Sequence, residues 1–155
     1  MSQIEKRLQE LGLELPQASA PAANYVPYVI SGNLVFMAGQ IAQWNGQRPY
    51  LGKVGADVSV DDGVKAAQLC GLNLLTWLKD ACGGDLDRVE RCVRLGGFVN
   101  CNADFYDQPK VINGCSNLMV DLFGEAGKHA RTAVGTNVLP FNVAVEIEAT
   151  FQIRV

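Results

Sequence analysis

Val143-Ala144-Val145-Glu146-Ile147-Glu148-Ala149-Thr150-Phe151-Gln152-Ile153-Arg154-Val155 ends the chain, and its apolar and mostly polar side chains alternate from start to finish. A period of two puts Val145, Ile147, Ala149, Phe151 and Ile153 on one face of a strand, with Glu146, Glu148, Thr150 and Gln152 on the other. The first set belongs against a core, and the second predicts a polar sheet face. Just upstream, His129-Ala130-Arg131-Thr132-Ala133-Val134 runs into Gly135, and Leu139-Pro140-Phe141-Asn142 reads as the connection between two strands. Paired as a hairpin, these strands would set Arg131 within a few residues of Glu146. That is a fixed cation beside carboxylates.

Working back from this end, Val111, Cys115, Leu118, Met119 and Leu122 recur at helical spacing and predict a helix from about Asp107 to Phe123, ended by Gly124. Val89 to Asn100 reads as a strand whose Gly96-Gly97 implies a bulge or close packing. Ser59, with Asp62 three residues on, opens another helix, whose stripe is Val64, Ala67, Gly71, Leu74, Leu75 and Leu78 and whose end is Gly83-Gly84. Tyr25 to Ser31 and Leu34 to Ala42 flank Gly32-Asn33 as a hairpin. Ile4, Leu8 and Leu11 make a short amphipathic helix, stopped by Gly12 and Pro16, and residues 16–24 form an arm across the surface. The order hairpin, helix, strand, helix, hairpin predicts one α+β domain over residues 1–155, with two helices on one face of its sheet and residues 1–21 as an N-terminal helix and arm. The other sheet face is left for a second subunit.

Composition narrows the function. A net charge of −3 with no Lys/Arg cluster supplies no field for a nucleic-acid backbone. Five cysteines, an odd number with no Cys-x-x-Cys pair, disfavour a disulfide framework and a zinc site and fit a cytoplasmic protein. They read as small buried hydrophobes. No apolar run reaches membrane-spanning length, and Met1-Ser2-Gln3-Ile4-Glu5-Lys6-Arg7 leads into no apolar segment of the kind a secretory leader carries, which predicts an unexported protein. His129 is the single histidine, which removes any chemistry that needs two and leaves it a surface or local capping group.

Taken in order, Pro27-Tyr28, Ala38-Gly39-Gln40-Ile41, Asn113, Ala130-Arg131-Thr132-Ala133-Val134, Leu139-Pro140 and Val145-Glu146-Ile147-Glu148-Ala149 resemble the RidA/YjgF family of reactive-intermediate deaminases over roughly residues 22–155. The resemblance implies a chorismate-mutase-like α+β fold and a homotrimer with clefts between subunits. It also implies hydrolysis of 2-imino and enamino acids to 2-oxo acids and ammonia, with no metal and no cofactor. Arg131 matches the substrate-binding arginine, whose planar fork grips a carboxylate through two hydrogen bonds. Glu146 matches the acid that positions water and moves protons. Gly39 matches a position where backbone lies against the ligand. Ala133 stands where the family has a cysteine whose backbone N–H touches the carboxylate. Tyr28, from a neighbouring subunit, would wall the cleft, with Asn113 and Gln40 as supporting polar groups.

Other readings of the same residues stay open. Arg131 could pair structurally with Glu146 or Glu148, Gly39 could be a bulge, and Tyr28 could be a packing aromatic. At the level of function, the alternatives are a trimer that binds a small carboxylate or oxo acid without turning it over, and an endoribonuclease or translation inhibitor.

Overall fold

The computed structural model describes residues 1–20 and 23–155. Its elements are α1 (Gln3–Glu10), β1 (Tyr28–Ser31), β2 (Leu34–Ile41), α2 (Val60–Ala81), β3 (Val89–Asn100), α3 (Gln108–Phe123), β4 (Ala130–Thr136) and β5 (Val145–Ile153). The five strands form one mixed sheet in the order β1-β2-β5-β3-β4, and three helices accompany it.

The alternation in β5 does what its period requires. Val145, Ile147, Ala149, Phe151 and Ile153 are buried, while Glu146, Thr150 and Gln152 are half-buried and Glu148 is exposed. The apolar face packs under α2 and α3, whose stripes are buried with it, including Leu74, Leu75 and Leu78 on α2 and Val111, Cys115, Leu118, Met119 and Leu122 on α3. Ser59 caps α2 by accepting from the Asp62 N–H at 3.1 Å. Gly97 is the close approach anticipated inside β3: a Cβ there would lie 2.6 Å from Ile112 Cδ1, so α3 sits directly on the strand. All five cysteines are free and buried.

The final pair of strands is not a hairpin. β5 lies between β2 and β3, antiparallel to both, whereas β4 pairs only with β3, in parallel, at the sheet edge. The reason lies in how much each strand has to bury. β5 has a fully apolar face and belongs in the centre, whereas Ala130, Thr132, Val134 and Gly135 of β4 remain exposed and tolerate an edge. The connection crosses the end of β3, where buried Asn100 donates through Nδ2 to the Val143 carbonyl at 3.2 Å and the Gly52 carbonyl at 3.3 Å. Leaving the crossing backbone unclasped would strand polar groups in the core.

The N-terminal extension is bound to the domain. Asp87 accepts from the Gln3 and Ile4 N–H groups at 2.8 and 3.1 Å, satisfying donors that the first turn of a helix leaves free. Glu5 forms a capping box with Ser2 and an ion pair with Lys79 of α2. In the arm, Thr76 donates to the Pro16 carbonyl at 3.0 Å and the Gln17 N–H donates to Asn45 Oδ1 at 2.8 Å. Residues 21 and 22 of the expected arm lie outside the described residues. Among the described residues, no helix is long and apolar enough to cross a membrane.

Candidate active site

Glu146 points from β5 to the polar sheet face, opposite Ile41 of β2. Between Met37 and Gln40 the β2–β5 register slips, so Gly39 sits in a bulge. The two features fit each other. A Cβ on Gly39 would stand 2.4 Å from Glu146 Oε2, so the carboxylate occupies the space that a side chain would fill. Both residues line an open cleft of about 440 Å³, together with Gln40, Arg48, Trp77 and Phe141. Among the described residues, the Glu146 carboxylate has neither a hydrogen-bond donor nor a cation within ion-pair reach. Burial, and secondarily the negative charge of Glu148, hold it above the usual carboxylate range.

Arg131 is elsewhere. It aligns with Leu95 of β3, which aligns in turn with Ala149 of β5, so its side chain emerges on the helix-covered face. Glu146 aligns with Phe98 and Val134 and emerges on the opposite face. The insertion of β3 removes the direct neighbour relation a hairpin would have given, and the pairing register sets the two side chains on opposite faces. Arg131 Nη1 donates to Asn113 Oδ1 at 2.8 Å and to Ser116 Oγ at 3.1 Å, both on α3. His129 stands behind Ser116, with Nε2 2.9 Å from its hydroxyl and Nδ1 2.6 Å from the Gly127 carbonyl. A carbonyl only accepts, so Nδ1 carries the proton in that contact, and Nε2 shares a hydrogen bond with the Ser116 hydroxyl. One nitrogen of the guanidinium is thus committed to α3. Its Nε and Nη2 edge makes no hydrogen bond, and no carboxylate lies within ion-pair distance, among the described residues.

The remaining sequence candidates divide between these places. Asn113 meets Arg131 directly, and partly buried Ala133 follows on the same face of β4. Gly39 and Gln40 accompany Glu146. Tyr28 joins neither group. It lies on β1, at the sheet edge farthest from β4, and its hydroxyl donates to Asp80 Oδ2 at 2.7 Å, which pushes its pKa up to about 12. Tyr25 and Pro27 line the Glu146 cleft of their own chain instead. No single copy of the chain therefore brings Arg131, Glu146 and Tyr28 together.

Four participants escaped the sequence reading. Ser116 carried a usable signal, because it follows Asn113 by three residues and so shares its helix face. Arg48, Trp77 and Phe141 carried none: two come from turns and one from the flank of α2, and only the fold assembles them.

Comparison with known proteins agrees with this architecture. Residues 5–150 match the family described as "YjgF/chorismate mutase-like, putative endoribonuclease". The chain is 43% identical over 152 residues to Protein TCP17 of Trypanosoma cruzi, covering 97% of this chain and 94% of that protein. Among solved structures, protein Atu1372 of Agrobacterium tumefaciens, described as of unknown function, is 47% identical with a TM-score of 0.93, covering 98% of this chain and 93% of that one. A Shewanella oneidensis protein described as a "putative endoribonuclease" is 37% identical, also with a TM-score of 0.93, covering 97% and 99% of the two chains. RidA of an Antarctic Psychrobacter shares the fold at 23% identity and a TM-score of 0.58, covering 90% of this chain and 99% of that one.

Proposed function

The chain belongs to the RidA/YjgF family, and from that premise we propose that it hydrolyses 2-imino and enamino acids to 2-oxo acids and ammonia in clefts closed between copies of itself. The observation that carries this reading is Glu146, a half-buried carboxylate without a partner among the described residues, lodged against the bare backbone of Gly39 in an open cleft. A carboxylate kept only for structure would have a donor or a cation beside it. One poised above its ordinary pKa is suited to passing protons.

In the proposed site, a neighbouring copy supplies Arg131. Its Nη1 hydrogens are taken by Asn113 and Ser116, so the Nε and Nη2 edge is the face presented to the substrate α-carboxylate, as two parallel charge-assisted bonds. Ionised Glu146 accepts a proton from water as the water oxygen bonds to the imino carbon. The same proton then passes to the nitrogen of the tetrahedral adduct, giving an amino group. Glu146 next takes the proton of the adduct's hydroxyl and delivers it to that nitrogen as the O–H electron pair forms the carbonyl and the C–N bond breaks with its pair leaving on nitrogen, so that the 2-oxo acid and ammonia depart. Glu146 is regenerated ionised, and the step consumes one water. Tyr28 and the backbone at Ala133 are assigned to the walls of the same shared cleft.

The test is to generate 2-iminopropanoate in situ from alanine with an amino-acid oxidase and to follow its disappearance. The reading expects acceleration by the wild type and loss of that acceleration in Arg131→Ala. Equal rates with and without protein would defeat it, and Arg131-dependent binding of 2-oxobutanoate without turnover would identify a binding protein instead. An RNA-cleaving role gains no support from His129, which is engaged with Gly127 and Ser116.

A further inference from the structure

Arg48 is the one cation lining the Glu146 cleft among the described residues, and nothing in the catalytic scheme uses it. Its backbone position is set by a tight turn. Trp44 and Gln47 exchange both backbone hydrogen bonds at 2.8 Å, around Asn45 and Gly46 at φ 49° and 87°. The Gln17 N–H of the N-terminal arm holds Asn45 Oδ1 at 2.8 Å. Its guanidinium is placed as well, with Cζ lying 3.8 Å over the centroid of the Phe141 ring. Phe141 is a strained support. Its φ of 58° is left-handed, a region that bulky residues avoid, and its side chain is 64% exposed rather than buried in the core. Within its own chain the exposed Phe141 ring supports the Arg48 guanidinium. Arg48 makes no hydrogen bond and no ion pair among the described residues, so its N–H edge is available to an anion.

We propose that Arg48 reads a second anionic group on the substrate, so that the preferred class is 2-imino acids with an acidic side chain. The inference rests on the deaminase reading for turnover, but its binding part stands apart from that reading. Arg131 of one copy takes the α-carboxylate, Glu146 faces the imino carbon, and Arg48, on the same chain as Glu146, takes the distal carboxylate. Pro27, Ile41, Trp77 and Pro140 give the wall, which also carries Gln40 and Gln43, an apolar part suited to the connecting methylenes.

The experiment compares kcat/KM for 2-iminoglutarate and 2-iminopropanoate, each generated in situ from its amino acid, in the wild type, Arg48→Met and Arg48→Lys. In parallel, calorimetry measures binding of 2-oxoglutarate and 2-oxobutanoate. The proposal expects the wild type to favour the five-carbon diacid and the ratio to fall roughly ten- to a hundredfold in Arg48→Met, the range for losing a charge-assisted hydrogen bond. Arg48→Lys should fall in between, having kept charge but lost the planar fork. An unchanged ratio, or equal losses on both substrates, would overturn it, the latter marking Arg48 as a general part of the cleft. If the wild type accelerates neither substrate, the deaminase reading fails by itself. Arg48 is then judged by the oxo-acid pair alone: a preference for 2-oxoglutarate that Arg48→Met abolishes sustains the proposal, and no preference ends it.

Discussion

Arg131 and Glu146 occupy the two faces of one sheet, and the chain treats them differently. The arginine is held by Asn113 and Ser116 of α3, with His129 behind them. The glutamate is held by nothing polar among the described residues and gains its place from a missing side chain at Gly39. A group that grips a substrate benefits from being fixed before the substrate arrives. A group that trades protons needs a free lone pair and a pKa lifted toward the working pH. On the proposed function, the contrast corresponds to binding at one face and proton transfer at the other.

Substitutions at each pole should break that contrast in different ways. The largest loss is expected from Arg131→Ala, on the order of a thousandfold in kcat/KM, with Arg131→Lys recovering little because an ammonium lacks the fork. Steady-state kinetics on in situ imine would check it. Glu146→Gln should come next, lowering kcat by about a hundredfold while leaving oxo-acid binding measurable, the size typical of a lost general acid–base group.

The same Glu146 variant should gain stability. Because the folded carboxyl has a raised pKa, the folded state holds the proton more tightly than the unfolded chain does, and the ionised form costs stability above the folded pKa. That cost disappears as pH falls through the folded value toward the unfolded one. Glu146→Gln is therefore predicted to raise Tm near pH 7.5, by about 1–2 °C, and to flatten the pH dependence of Tm in the weakly acidic range. On the proposed mechanism, catalysis should titrate in the opposite direction. Wild-type kcat should fall as pH drops through a value above the ordinary carboxylate range, since the base must be ionised.

Gly39→Ala sharpens the comparison further. The new methyl would displace only the end of a flexible side chain, so the fold should survive while kcat falls about tenfold, the carboxylate having been moved off its position. Far-ultraviolet circular dichroism, together with kinetics, separates these effects. The smallest effect is expected from Ser116→Ala. Asn113 still holds Nη1, so KM should rise about three- to fivefold with kcat little altered.

Much of the fold was legible because the decisive signals are local. The alternation of β5, the stripes of α2 and α3, and the Ser59 cap each depend on spacing within one segment, and each appears where expected. The partner of a strand is a non-local property. The polar residues of β4 were visible, yet only the burial demanded by β5 decides that β3 comes between them. The intervening strand parts Arg131 from Glu146 across the sheet, and the register, Arg131 level with Leu95 and Ala149, sets it on the far face. The cleft was the least legible part. Arg48 and Phe141 lie in segments readable only as turns, and their stacking depends on a left-handed backbone at Phe141 that its side chain gives no reason to expect. Ser116 was within reach, three residues along α3 from Asn113.

The most direct measurement mixes two defective proteins. Arg131→Ala and Glu146→Gln are each purified, combined in equal amounts, unfolded and refolded together, and assayed for imine hydrolysis. If the cleft takes its guanidinium from one copy and its carboxylate from another, random assembly restores intact clefts at roughly one interface in four, and activity returns to on the order of a quarter of the wild-type level. A mixture no more active than its two components, from a preparation in which the wild type treated the same way recovers fully, would contradict the shared site.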